Sequence, residues 1–359
     1  MKNVILKIVL IVSGLLLAIL LMEGFLRLFQ PQIFPIHPKG MYIEDPDIGY
    51  VLTPGYSGEL VRSEFHTPIQ IGQSGLRGRD PAPPQDDTIR ILVLGDSQAW
   101  GFGVTDSQTF SVQLEELLSE RFPERDIQVL NAGVPGYGTA DQLAFLETRG
   151  EELQPDIVVV QFLSVNDLIE NQNPASEWAV IEDGMLTSRS TQFEDGETGT
   201  SFPNTVREWL KDNSHAASLI FDALGYLGVR AGVLGNIDSL WGEDFTEEQA
   251  QLGITYLVKI ADKANELNAN CIFLYTTGKA HATQDVYEQP KSATIVIDAS
   301  RQANVPWIDS AKLLSMDVQK HNYYYPKNGH WTPEGHTAIA RILDEYILEM
   351  SLIESDSNP

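Results

Sequence analysis

The 359-residue chain holds a single cysteine, Cys271, so no intramolecular disulfide, zinc knuckle or CxxC redox pair can be built. Its place in the apolar run Cys271-Ile272-Phe273-Leu274-Tyr275 marks it as a core residue. Lack of disulfides does not fix the compartment; it means that stability comes from the core. Positive charge is also scarce: 24 Lys and Arg face 50 Asp and Glu, a formal net charge of -26. That balance argues against a nucleic-acid partner or an anionic-membrane surface, because both favour basic patches. His37, His66, His215, His281 and His321 fall in no metal-binding spacing, and neither a metal nor a cofactor is expected. No internal repeat is visible.

What the chain does have begins at its N-terminus. Val4 to Met22 is almost wholly apolar, broken by Lys7 and by Ser13-Gly14, and is about long enough to cross a bilayer as a helix. Lys2 and Lys7 sit at its front and Glu23 follows it. The positive-inside tendency then keeps the N-terminus cytoplasmic and exports the rest. A cleaved signal peptide is the rival, but no clear A-x-A-like site follows the apolar core, which favours an uncleaved anchor over residues 1–30. A buried core helix would be more amphipathic. Residues 31–88 read as a Pro-rich stalk (Pro31, Pro35, Pro38) followed by a small β-rich appendage packed on the main domain and of illegible function, with a tight turn at Ser74-Gly75-Leu76-Arg77-Gly78.

From Ile89 strand and helix patterns alternate. Ile89–Leu94, Ile127–Leu130, Ile157–Phe162, Cys271–Tyr275 and Val305–Ile308 are short apolar runs suited to parallel strands buried on both faces. Phe110–Phe122, Ala140–Leu153, Thr246–Leu267 and Pro333–Met350 carry helical spacing, and Thr246 with Gln249 makes a capping box. The pattern predicts an α/β fold with a flavodoxin-like, doubly wound parallel sheet of about five strands over residues 89–352, and a polar tail at 353–359. Residues 168–245 are too many for a simple connection. They read as an insertion with a hairpin turn at Glu182-Asp183-Gly184, an acidic stretch Glu194–Thr200 and a helical pattern over Val206–Leu227. A lid or substrate wall and a structural cap are equally open for it.

Four blocks at strand ends carry chemistry. Ile91-Leu92-Val93-Leu94-Gly95-Asp96-Ser97 ends an apolar strand in a sharp turn, which puts a serine at the carboxyl edge of the sheet, where open α/β folds bind ligands. A serine hydroxyl needs a base within hydrogen-bonding reach and donors aimed at the developing oxyanion. Asn131-Ala132-Gly133-Val134-Pro135-Gly136-Tyr137-Gly138 offers backbone N–H groups that can approach a ligand closely. Leu163-Ser164-Val165-Asn166-Asp167 offers an amide donor, and His330-Trp331-Thr332-Pro333-Glu334-Gly335-His336 offers an imidazole.

In this order, over Ile89 to Leu348, the blocks resemble the SGNH (GDSL-type) hydrolase family in its membrane-anchored bacterial form. The resemblance implies that Ser97 is the nucleophile and His330 the general base and then acid of ester hydrolysis through an acyl-enzyme. It also implies an oxyanion hole made by Ser97 N–H, Gly136 N–H and the Asn166 side chain. The substrate implied is an acyl or acetyl ester on a carbohydrate, lipid or small molecule. Ser164 stands where the family has glycine. The family's aspartate, three residues before the histidine, is Lys327 here, and Asn328 occupies the position where related anchored members place an acid. Asn328, a backbone carbonyl or an acid from elsewhere can orient His330; otherwise the chain is catalytically weak. Two further functions stay open: O-acyl transfer to a polysaccharide hydroxyl, and a binding role in the cell envelope without turnover. Asp96 and Asp167 read as loop-holding residues, Asn166 alternatively as a helix cap, and His336 as structural.

Overall fold

The computed structural model describes residues 2–29, 38–62, 64–188, 214, 216, 217, 220, 245–326 and 328–353. The expected features at Pro31 and Pro35, Glu194–Thr200, most of Val206–Leu227, Lys327 and the polar tail beyond Ile353 lie outside these. Two compact units are present, one of residues 38–190 with 238–359, the other of 1–37 with 191–237.

In the larger unit, four short antiparallel strands come first: β1 (Tyr42–Asp45) with β2 (Gly49–Leu52), and β3 (Ser57–Val61) with β4 (His66–Gln70). The central sheet follows, built of β5 (Thr88–Gly95), β6 (Asp126–Gly133), β7 (Ile157–Leu163), β10 (Asn270–Thr276) and β11 (Trp307–Asp309). Between β7 and β10, β8 (Ala179–Glu182) and β9 (Met185–Ser188) form the predicted hairpin, with Asp183 and Gly184 both at positive φ in its two-residue turn. The smaller unit contributes α1 (Lys2–Phe29). The larger contributes α2 (Ser97–Trp100), α3 (Phe110–Arg121), α4 (Thr139–Leu153), α5 (Asp167–Glu170), α6 (Ala175–Trp178), α7 (Glu247–Glu266), α8 (Lys279–Ala282), α9 (Ala293–Ala303), α10 (Ser310–Ser315) and α11 (Pro333–Glu349).

The five central strands are all parallel, in the order β11-β10-β7-β5-β6. Chain order first runs outward from β5 to β6, then crosses to β7 and continues the other way. The loops after β5 and β7 therefore diverge at the topological switch point, where such folds bind ligands. Alternate strand residues serve two cores. Ile91, Val93, Ile157, Val159, Ile272 and Leu274 pack with α3 and α11 on one face. Leu92, Leu94, Val158, Val160, Phe273 and Tyr275 pack with α4, α7 and α9 on the other. Burial on both faces explains the near-continuous apolar runs, and each such side chain contributes roughly 1.5–3 kcal/mol over an exposed one.

The small β-rich segment packs against the main sheet, Tyr42, Ile48, Tyr50, Leu52, Leu60 and Ile69 sharing one core with it. Two sequence expectations differ in detail. The last strand begins at Trp307 rather than Val305, because Pro306 has no N–H for a ladder and the Val305 N–H bonds back to Ser300 O across the Asn304 cap. The second concerns the membrane. Residues 2–29 do form one continuous helix. However, several of its side chains lie outside those described, and among the described residues no helix is long and apolar enough to cross a membrane. The spanning role is thus not a property the structure displays.

Candidate active site

The nucleophile's position is dictated by sterics at the end of β5. A Cβ on Gly95 would lie 2.5 Å from Ala99 Cβ and 2.5 Å from Gln161 Oε1, so only glycine lets the chain turn straight from strand into α2. Gly133, next to it in the sheet, has the same constraint: its Cβ would sit 2.5 Å from Trp100 N. Buried Asp96 then caps the turn, its Oδ1 accepting the Gln98 N–H at 2.8 Å, and Gln161 Oε1 accepts the Ala99 N–H at 3.1 Å. Ser97 is left half-buried at the head of α2.

His330 arrives from the loop before α11. Gly329, at φ +80°, tightens this loop, in which Tyr325 N–H donates to His330 O (2.9 Å) and Gly329 N–H to Tyr325 O (3.1 Å). Thr332 caps the helix through Gly335 N–H, and Pro333 occupies its first turn. The geometry brings three of the predicted residues into one chain: Ser97 Oγ lies 2.8 Å from His330 Nε2, and His330 Nδ1 lies 2.5 Å from Asn328 Oδ1. An amide oxygen can only accept, so with Oδ1 assigned to this contact the proton resides on Nδ1. Nε2 then presents a lone pair to the serine hydroxyl.

Gly136 and Asn166 are placed differently. Val134-Pro135-Gly136-Tyr137 is a tight turn closed by Tyr137 N–H to Val134 O at 3.1 Å, with Gly136 at φ +89° and exposed. Among the described residues no backbone carbonyl accepts the Ser97 or Gly136 N–H. Val134 N–H, two residues earlier, donates to Gly95 O at 3.0 Å and ties this loop to the nucleophile turn; among the described residues no backbone hydrogen bond joins Gly136 itself to Ser97. Asn166 holds the N-cap position of α5, its carbonyl accepting the Ile169 and Glu170 N–H groups, but its side chain makes no capping hydrogen bond. Its Nδ2 donates to Asp96 Oδ2 at 3.1 Å, so one N–H of the amide is anchored beside Ser97 while the other is left to point elsewhere. Ser164 is buried, its N–H donating to Thr276 O at 3.1 Å.

Beneath the site lies a set of enclosed carboxyls. Desolvation raises Asp96 to about 6, against the hydrogen bonds from Gln98 and Asn166 that favour its charge. Burial likewise raises Asp141 to about 7 and Glu170 to about 8, the latter also through the charges of Asp96 and Asp141. Asp167 is pushed well up by burial, then by Asp96 and Glu170. Asp167 Oδ2 accepts the Leu163 N–H at 2.9 Å, the loop-holding role expected of it. His336 is buried between Phe110 and Trp331; its Nδ1 accepts the Phe110 N–H at 3.2 Å, and desolvation, followed by the charges of His330 and Arg77, lowers it to about 3. It is a neutral core imidazole. Among the described residues no group of three or more His, Cys, Asp and Glu side chains is arranged to hold a metal ion.

Several contributors escaped the sequence. Phe102, carried between Gly101 and Gly103 (both at positive φ), stacks on the His330 ring with centroids 4.5 Å apart. The Gly-Phe-Gly so soon after Ser97 was a local signal for it. Tyr50 of β2 donates its hydroxyl to Pro135 O at 2.9 Å, and a Cβ on Gly136 would lie 2.7 Å from that hydroxyl. Glu64, from the β3–β4 connection, accepts the Asn328 N–H on Oε2 at 2.7 Å. Neither Tyr50 nor Glu64 had any signal in its own neighbourhood of sequence.

Residues 93–338, well over half of the chain, match the model of the GDSL-like lipase/acylhydrolase family. The protein belongs to this family and is a serine ester hydrolase. No curated protein sequence matches the chain. Similar solved structures include a two-domain esterase active on acetylated mannans, 13% identical at a TM-score of 0.43, with 76% of this chain covered. The chain spans 51% of that protein's length. Also similar are TesA, 15% identical at a TM-score of 0.41 over 74% of this chain and 99% of that one. An acetyl xylan esterase of Geobacillus stearothermophilus is 14% identical at a TM-score of 0.39, over 75% of this chain and 97% of that one.

Proposed function

We propose that the protein is an anchored, exported deacylase that cleaves acyl or acetyl esters of carbohydrate or lipid through an acyl-enzyme on Ser97. The observation that carries this reading is the continuous contact from Ser97 Oγ through His330 to Asn328 Oδ1. Ser97 Oγ attacks the ester carbonyl carbon as Nε2 takes its proton; the carbonyl π pair moves onto oxygen. Ser97 N–H, Gly136 N–H and the Asn166 amide receive that oxyanion, each such donor being worth about 10²–10³ in rate. When the tetrahedral species collapses, the C–O bond to the alcohol breaks and the imidazolium returns the proton to the leaving oxygen. Water then repeats the cycle on the acyl-enzyme, with His330 as its base. Asn328 holds the ring and the tautomer, but as an amide it stabilises imidazolium less than a carboxylate does.

Anchoring is supported by α1: 28 residues of helix extend about 42 Å, and Leu10, Leu17, Leu20, Leu21, Phe25 and Leu28 are exposed on it. Solvent is a costly neighbour for such a row, and a bilayer removes the cost.

The test is hydrolysis of a short-chain aryl acetate, and of acetylated xylan and mannan oligosaccharides, by the wild type beside Ser97→Ala. Turnover lost with Ser97 supports the reading. Turnover retained in Ser97→Ala, or none with a serine that resists a fluorophosphonate, overturns it in favour of a binding protein on a hydrolase fold. Acetyl appearing on an added sugar faster than free acetate makes the enzyme a transferase.

A further inference from the structure

The group on His330 Nδ1 is the amide of Asn328, and a carboxyl from 264 residues away in the chain reaches the backbone of that same Asn328. The connection between β3 and β4 folds over the His330 loop. Phe65 at its end packs on Tyr325 (5.0 Å between centroids) and edge-on against Phe102 (5.7 Å). Thr67 and Tyr325 both donate hydroxyls to Gly103 O at 2.9 Å, so hairpin, Phe102 loop and His330 loop share one anchor. Within this clamp the half-buried Glu64 accepts the Asn328 N–H.

We infer that Glu64 is a positioning residue for His330, supplying from the hairpin the carboxylate that Asn328 lacks. It acts in two ways. Its bond to the Asn328 backbone fixes the residue whose Oδ1 orients Nδ1, and its negative charge favours the imidazolium formed as Ser97 attacks. The arrangement divides the usual acid's work between two side chains: Asn328 provides geometry and Glu64 provides charge. The inference rests on the hydrolytic reading above.

Other charged and titratable groups lie around His330 and the rings packed on it, and they set the background against which Glu64 acts. Ser97 lies on Nε2. The Arg62 guanidinium lies 5.6 Å from the centroid of Phe102, the ring stacked on His330. His336, kept neutral by burial, lies behind it on α11, and Glu334 and Glu64 both act on the Tyr325 hydroxyl.

The experiment compares full-length wild type in detergent micelles with Glu64→Gln, Asn328→Asp, the double variant and Ser97→Ala. Gln keeps an oxygen for the Asn328 N–H, so the fold and loop survive while the charge is lost. Two readouts are taken: kcat/KM for an aryl acetate against pH, and the titration of ¹³C-labelled His330 by NMR, assigned with His330→Gln. Glu64→Gln should lower kcat/KM at neutral pH about tenfold and move both the acid limb and the His330 midpoint down by about half to one pH unit. In the Asn328→Asp background, where a carboxylate touches Nδ1 directly, the same change should cost less than about twofold. An unchanged limb and midpoint in Glu64→Gln, with turnover still abolished in Ser97→Ala, overturns the inference and leaves the hydrolytic reading standing. If Ser97→Ala keeps its turnover, the hydrolytic reading falls, and the NMR midpoint alone decides whether Glu64 acts on His330.

Discussion

The two halves of the site are built on different principles. The Ser97 half is held by the sheet: β5 is flanked by β6 and β7, Gly95 and Gly133 meet in register, and any side chain added at either collides with the first turn of α2. The His330 half hangs on side-chain contacts with distant segments: Glu64 on Asn328 N, the loop's own Tyr325 on Gly103 O, and Lys279 Nζ on Pro326 O at 3.0 Å. A Cβ on Gly329 would meet nothing within 4 Å, although its φ of +80° disfavours one. Rigid backbone thus positions the nucleophile, and adjustable contacts position the base. Small changes in those contacts should tune rate, whereas small changes at the nucleophile turn should break the fold.

The largest expected effect is at Ser97 itself. Ser97→Ala should lower kcat for an aryl acetate by about 10³-fold or more with an unchanged circular dichroism spectrum, since the hydroxyl is the reacting atom. A stability measurement then separates the two halves. In urea unfolding, Gly95→Ala should cost about 3 kcal/mol through overpacking, and Gly329→Ala about 1 kcal/mol through backbone strain alone. Equal costs would contradict the contrast drawn above. Third, Asn328→Asp should raise kcat/KM at neutral pH about tenfold, because the added carboxylate steadies imidazolium without changing the loop's geometry.

The smallest effect concerns the carboxyls beneath the site. Glu170 is half-buried as a residue, but its Oε2 is enclosed without a hydrogen-bond partner among the described residues. Its value in the folded state is about 8, above the 4.5 of an ordinary Glu. The folded protein therefore binds a proton that the unfolded chain releases. That contribution is complete below about pH 4.5, falls with rising pH by at most about 1.4 kcal/mol per unit, and is gone above about pH 8. Asp141 acts in the same sense up to about 7. Urea midpoints should accordingly decline between pH 5.5 and about 8.5, and Glu170→Gln should flatten part of that decline. A slope unchanged by Glu170→Gln would mean that the carboxyl is ionised throughout.

What the sequence made legible follows the same division. The parallel strands announced themselves because burial on both faces requires unbroken apolar runs, and the blocks at their ends follow directly from them. The chain from Ser97 to His330 and Asn328 was traceable through the resemblance to the hydrolase family, whose blocks fall here at strand ends and at a helix start. Phe102 lay in plain view between two glycines. Tyr50 and Glu64 were hidden for a physical reason: hairpin residues with ordinary local patterns acquire their roles only by docking onto loops far along the chain. Pro306 shortened the last strand through a missing donor, a rule that could have been applied from sequence.

The central claim is that His330 makes Ser97 a nucleophile, and labelling tests it without knowledge of the natural substrate. The wild type and His330→Ala are treated with an aryl fluorophosphonate at neutral pH, and the adduct is located by peptide mass spectrometry. The account predicts a phosphonyl adduct on Ser97 in the wild type and labelling slowed at least about 100-fold in His330→Ala. No adduct on Ser97, or equal labelling rates in the two proteins, would contradict it.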